Sequence, residues 1–305
     1  MTQTKKFGSR TDSDEVLENL NLTGKKILVT GANTGIGYET ARALAAAGAE
    51  IVLACRSDDK GQAAVDAIRK RHSDVQIEFQ KLDLSSIASI KAFAENLSWD
   101  TIDVIIANAG VVPTSYQQTA EGIEQCVGVC HFGHFALCKL LLPRLLKSKD
   151  PRVVMVSSES HRTPRTLNFE KFPLNKENFA FFTAYGQAKL CNVLFANELQ
   201  RRYGDQGLNA CSLHPGTLIT TDIGRNSGLM SLMMTLISPL TKTPNQGAST
   251  TVYCAAYLDG NDIQSGYFSH CKKGKSSDEA NNPKVAQQLW DISEAFCEQH
   301  NVANT

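Results

Sequence analysis

Tyr185 and Lys189 stand four residues apart in Tyr185-Gly-Gln-Ala-Lys189. On a helix that spacing puts both on one face. A free phenol ionises at about pH 10, too high for ready proton exchange near neutrality, and an adjacent ammonium favours its charged form. The pair is therefore suited to general acid–base chemistry. The same spacing on a surface helix is common and means little alone. Upstream, Ser157-Ser158 ends an apolar run, where a hydroxyl could polarise a substrate oxygen. A turn or helix-capping serine is the ordinary alternative.

A second motif gives the pair a context. Thr30-Gly-Ala-Asn-Thr-Gly-Ile-Gly37 follows an apolar run and opens an amphipathic one. Gly31, Gly35 and Gly37 let the backbone turn tightly, so that a pyrophosphate can approach the helix N–H groups of the Asn33, Thr34 and Ile36 region. The spacing is G-x-x-x-G-x-G, and a glycine cluster can be merely a turn; the strand–turn–helix setting favours a nucleotide. The next strand ends Ala54-Cys55-Arg56. An NAD site usually carries a carboxylate there for the ribose hydroxyls. Arg56, with no acid at Cys55, favours the 2′-phosphate of NADP(H) over a solvated surface arginine.

These residues must be held by a scaffold. Strands are predicted at Lys25–Thr30, Glu50–Arg56, Val75–Asp83, Ile102–Ala107, Arg152–Val156, Leu208–His214 and Gly266–Ser269. Helices are predicted at Gly37–Ala47, Asp58–His72, Ile87–Leu97, Glu121–Leu146, Tyr185–Tyr203, Gln246–Tyr257 and Lys284–Glu298. The strands are continuous apolar runs that alternate with helices, which implies a parallel sheet covered on both faces. The expected fold is α/β, a single Rossmann-type doubly wound domain over residues 22–305, after a flexible lead-in at 1–21 that ends in a weak helical turn. Asn108-Ala109-Gly110 and His214-Pro215-Gly216 also end strands. All the motifs thus converge on the carboxyl edge of the sheet, where such folds bind ligands.

Composition excludes several classes. Lys+Arg and Asp+Glu are both 31, so no bulk charge draws the chain to nucleic acid or anionic lipid. Nine cysteines without a Cys-x-x-Cys pair read as reduced thiols of a cytoplasmic protein. The polar N-terminus reads as neither signal peptide nor anchor. The apolar stretch Leu229–Leu240 is too short for a transmembrane span, which needs about 20 residues. A homo-oligomer is left open.

Taken together, T-G-A-N-T-G-I-G, Asp83-Leu84, N-A-G, V-S-S, Y-x-x-x-K and H-P-G occur in the order seen in the short-chain dehydrogenase/reductase family, which the chain resembles over about residues 22–272. Ala54-Cys-Arg56, Ser157-Ser-Glu-Ser-His-Arg162 and Gln246–Ala256 resemble the retinol dehydrogenase branch. The resemblance implies hydride transfer between NADP(H) and a carbonyl or alcohol. Ser158 would bind the substrate oxygen, Tyr185 transfer the proton, and Lys189 assist Tyr185 and hold the nicotinamide ribose. Asp83 would contact adenine, Asn108 the adenine ribose region, and Thr220 the nicotinamide carboxamide. Leu84, Ala109, Gly110, Pro215 and Gly216 complete the cofactor site.

The sequence departs from the family in one place. Cys130-His-Phe-Gly-His-Phe135 has cysteine where the family usually has an asparagine that holds a relay water. Cysteine bonds weakly, which puts that relay in doubt and keeps a rival reading open, that of a low-turnover cofactor-binding protein acting through partners or as a redox sensor. Cys126, Cys130, His131 and His134 invite a metal, but His131 points off the row formed by the other three, so no metal site is expected. Leu229–Leu240, rich in methionine, suits either an adaptable wall for an apolar substrate (a retinoid, steroid or lipid aldehyde) or an ordinary core helix.

Overall fold

The computed structural model describes residues 6–216 and 242–303. Eight strands form one sheet: β1 Lys26–Thr30, β2 Glu50–Cys55, β3 Ile77–Lys81, β4 Val104–Ala107, β5 Arg152–Val156, β6 Asn209–His214, β7 Tyr267–Ser269 and β8 Lys272–Gly274. Their order is β3-β2-β1-β4-β5-β6-β7-β8. The first seven are parallel, as expected, and β8 adds an antiparallel edge. Lys272 and Lys273 are exposed there, and edge lysines discourage pairing with another chain. Strand order reverses between β1 and β4, which opens a crevice at their carboxyl ends.

Strand side chains alternate between two apolar layers. Leu28, Val52 and Ile105 face one layer; Ile27, Val29, Leu53 and Ile106 face the other. The first layer holds α4 (Ile87–Asn96), α5 (Gln125–Leu145), α6 (Phe181–Tyr203) and α9 (Pro283–Gln299). The second holds α1 (Ser13–Leu17), α2 (Gly35–Ala46), α3 (Asp58–Arg71) and α7 (Pro244–Val252). A short α8 (Gly260–Ile263) precedes β7. Among the described residues α5 is the one helix long and apolar enough to cross a membrane, yet it is largely buried inside the fold.

Two features differ from expectation. Residues 6–21 are packed, not a loose lead-in: Val16 is fully buried, Phe7 lies edge-on against Tyr253 and Tyr257, and Arg42 of α2 holds Asp14 through paired bonds of 2.9 and 2.8 Å. Helix α5 is also not regular; its Gly128–Gly133 segment is a π-turn. Close packing forces both end glycines, because a Cβ on Gly128 would lie 2.3 Å from Thr119 Cγ2 and one on Gly133 would lie 2.3 Å from the Leu84 carbonyl oxygen. π-Turns often mark functional sites.

Candidate active site

The glycine-turn end of the crevice, the candidate nucleotide end, is shaped by backbone contact. Gly31 and Gly35 have φ of 63° and 60°, which side-chain-bearing residues adopt with difficulty. A Cβ on Gly31 would lie 2.7 Å from Ala109 Cα, and one on Gly37 would lie 2.4 Å from Asn108 Nδ2. The β1–α2 turn and the end of β4 are therefore pressed together. Asn108 Nδ2 donates to the Thr30 and Gly31 carbonyls at 2.8 and 3.3 Å. Thr34 precedes the first turn of α2, whose N–H groups at Gly35, Ile36 and Gly37 lack carbonyls one turn back, as in every helix. Asn33 lies half-buried in the loop.

A buried network braces this turn from behind. His134 Nδ1 lies 3.0 Å from the Cys130 carbonyl, which can only accept, so Nδ1 carries the proton. His134 Nε2 is then the acceptor for the Thr30 hydroxyl at 2.9 Å. Thr30 Oγ1 in turn accepts from the Asn108 and Ala109 amides, each at 3.0 Å. Burial pushes His134 down to about 4, so it stays neutral at physiological pH.

Other cofactor-site candidates line the same edge. Arg56 follows β2, is exposed, and makes no hydrogen bond or ion pair with the described residues. Asp83 accepts from the Ser85 amide and hydroxyl at 2.9 and 2.6 Å, so it shapes its own turn, while Leu84 packs beneath Gly133. Gly110 is exposed at the crevice. Pro215 and Gly216 follow β6, with Gly216 at φ 127° and the Pro215 carbonyl 3.3 Å from Lys242 Nζ. Thr220 and Leu229–Leu240 lie outside the described residues.

At the chemical end the serine strand and α6 are bolted together. Ser157 Oγ donates to the Lys189 carbonyl at 2.7 Å. Lys189 Nζ and Asn192 Nδ2 both donate to the Val156 carbonyl, at 3.1 and 3.0 Å. Beside Tyr185, a Cβ on Gly186 would lie 1.5 Å from the Thr163 carbonyl oxygen, so the turn after Ser158 rests directly on α6. His161 fixes that turn: its Nδ1 donates to the Ser158 carbonyl at 2.7 Å, and its Nε2 accepts from the Ser277 amide at 3.0 Å. Ser158 Oγ accepts from the Ser160 amide at 3.2 Å, a weak partner that leaves the hydroxyl hydrogen for a ligand or for Ser160 Oγ at 3.3 Å. Lys189 is buried, with Nζ 5.7 Å from the centre of the half-buried Tyr185 ring.

The fold thus brings Ser158, Tyr185 and Lys189 to the edge that carries the glycine turn. It does not gather the α5 imidazoles with the thiols: His131 bonds Ser293 Oγ at 2.8 Å, His134 faces Thr30, and no metal-holding group of three occurs among the described residues. Sequence reading missed Thr30, His134, His161 and Asn192 as supports. Only His134 carried a signal, one helical turn after Cys130.

Residues 25–169 match the short chain dehydrogenase family model. The chain is 39% identical over 297 residues to the WW domain-containing oxidoreductase of Gallus gallus, covering 95% of this chain and 72% of that protein. It is 42% identical over 277 residues to retinol dehydrogenase 12 of Mus musculus, covering 90% and 87%. A crystal structure of an uncharacterized protein from Mycobacterium paratuberculosis superposes with a TM-score of 0.74 at 32% identity, covering 92% of this chain and 97% of that one.

Proposed function

The chain belongs to the short-chain dehydrogenase/reductase family, and from that premise we propose that it is an NADP(H)-dependent oxidoreductase acting on an apolar carbonyl or alcohol. The observation that carries the reading is the clamp of α6 on the serine strand through Val156, Ser157, Lys189 and Asn192. It fixes a phenol, an ammonium and a hydroxyl on one rigid support, as acid–base and polarising groups require.

The residues fit a dinucleotide: a turn with no room for side chains, a helix start, and, after the end of β2, a guanidinium without a partner among the described residues. When bound, the nicotinamide supplies or takes the hydride. Ser158 then donates to the substrate oxygen, Tyr185 gives or takes its proton, and the Lys189 charge favours the phenolate and holds the ribose. Arg56 pairs with the 2′-phosphate. The retinol dehydrogenase relatives support an apolar substrate of retinoid, steroid or lipid aldehyde type. Nine free, buried cysteines support a reducing, cytoplasmic setting.

Steady-state oxidation of NADPH with a panel of long-chain aldehydes, ketosteroids and retinal tests this reading. Turnover with NADPH well above that with NADH is expected on at least one of them. A folded protein that binds NADPH yet turns over none, in either direction, would sink it.

A further inference from the structure

The turn that carries Ser158 is tied to a distant part of the chain. Residues 275–281 follow β8 and lead into α9. They bond three times to the segment from Ser158 to Leu167. The Lys275 carbonyl accepts from Arg162 Nη2, the Ser277 amide donates to His161 Nε2 at 3.0 Å, and Glu279 Oε1 accepts from the Leu167 amide at 2.8 Å. A fourth bond ties the same strap to α6, where Asn197 Nδ2 donates to the Ala280 carbonyl at 2.8 Å. The partners are 83 to 116 residues apart in sequence, so the attachment is tertiary and not part of a local turn.

His161 is where the strap meets the serine. It is fully buried and lies against Tyr267, with ring centres 4.8 Å apart. The Ser158 carbonyl can only accept and the Ser277 amide can only donate, so the ring is neutral and its proton sits on Nδ1. Burial lowers its pKa and favours that neutral form. The 2.7 Å bond from Nδ1 adds to a 3.0 Å bond from the His161 backbone amide to the same Ser158 carbonyl. A histidine that merely capped its own turn would stop there. This one is held at its far end as well, so it cannot swing out with the turn. The turn in turn bears on α6 beside Tyr185: a Cβ on Gly186 would lie 1.5 Å from the Thr163 carbonyl oxygen and 3.0 Å from that of Ser160. Any shift of the turn therefore moves Ser158 relative to Tyr185.

We propose that His161 is a positioning residue for Ser158, through which the strap of residues 275–281 holds the serine hydroxyl in register with Tyr185. The effect on turnover rests on the reductase reading; the attachment of the strap does not. Ser158 Oγ is bonded only weakly within the turn, at 3.2 Å from the Ser160 amide, so its place is set by the backbone that His161 pins.

His161→Ala breaks both side-chain bonds. It should lower kcat by about 10- to 10²-fold, the scale of a small misplacement of a reacting group. KM for NADPH should change little, because the glycine turn follows β1 and the serine follows β5. In a Ser158→Ala background the same substitution should cost nothing further, since a residue that acts only through Ser158 then has nothing to position. His161→Asn keeps a donor for the Ser158 carbonyl but cannot reach Ser277. Its kcat should fall between wild type and His161→Ala, and hydrogen exchange at the Ser277 amide should quicken. Losses from His161→Ala and Ser158→Ala that simply multiply would overturn the positioning role. Full kcat in His161→Asn, or unchanged protection of the Ser277 amide, would overturn the part given to the strap. If His161→Ala does not fold, Glu279→Ala takes its place. It frees the Leu167 amide and should lower kcat less, again only while Ser158 is present. A protein that reduces no carbonyl refutes the reductase reading and the effect on turnover with it, and exchange at Ser277 alone then decides the strap.

Discussion

The two ends of the crevice are organised by different forces. At the nucleotide end, Gly31 and Gly37 press on Ala109 and Asn108 with no room for one more carbon, and neutral hydrogen bonds through Thr30, Asn108 and His134 hold the turn. At the chemical end, a buried ammonium lies beside a phenol and two thiols, and its placement depends on charge as much as on shape. Shape is unforgiving but indifferent to pH. Charge tolerates some change of volume, but it is tied to protonation. Substitutions at the two ends should therefore fail in different ways.

The largest effect belongs to the chemical end. Tyr185→Phe removes one oxygen from a half-buried ring and should lower kcat by about 10²–10⁴-fold, the worth of general acid–base catalysis. NADPH affinity and melting temperature should stay close to wild type. A mutant that keeps near-normal kcat would show that the proton comes from elsewhere.

Gly37→Ala should do the opposite. The added carbon meets Asn108 Nδ2 at 2.4 Å and the Gly31 carbonyl oxygen at 2.5 Å, and backbone cannot step aside cheaply. Overpacking of this kind costs about 1–3 kcal/mol. Thermal unfolding should shift down and NADPH binding weaken together. A mutant that binds normally at unchanged stability would mean that the turn is looser than its contacts imply.

The ease of reading the sequence follows the same division. The glycine turn was legible because its spacing reports backbone shape directly, and the apolar runs gave all seven parallel strands, though Val75–Asp83 shortened to Ile77–Lys81. Tyr185 and Lys189 were legible because a helix puts i and i+4 together; α6 itself begins earlier, at Phe181. The supports were not legible. Thr30 and His134 are 104 residues apart, and Asp14 meets Arg42 and Asn245 across the chain, 231 residues away in the second case. Such pairs carry no local period. The packing of residues 6–21 was missed for that reason.

Arg56→Ala tests an exposed charge at the shape-organised end. Its guanidinium has no partner among the described residues, so the change should leave stability intact. Charge-assisted hydrogen bonds contribute about 1.5–3 kcal/mol, so NADPH should bind at least about tenfold more weakly while NADH is little affected. Equal affinities for the two cofactors in wild type would remove the NADP assignment.

The smallest expected effect concerns pH. His134 is depressed by burial to about 4 from an ordinary value of 6.5. Below 6.5 the unfolded chain therefore takes up a proton that the folded chain refuses. Stability from this group is complete above 6.5 and is lost as pH falls from there toward 4, by at most about 1.4 kcal/mol per pH unit. His131, depressed to about 3 by burial and by His134, adds a slope of the same sign. His134→Gln keeps an amide donor and an acceptor for Thr30 but cannot titrate. It should cost some stability at neutral pH and flatten the acid slope of urea midpoints by up to one proton's worth. NADPH affinity should weaken modestly, because the Thr30 hydroxyl is held less well behind the turn. If the slope is unchanged, His134 does not supply it, and the nucleotide end owes its acid sensitivity to another group. If instead the Gln variant loses turnover with binding intact, the network from Cys130 through His134 to Thr30 serves the chemical end, and the division between the two ends is drawn in the wrong place.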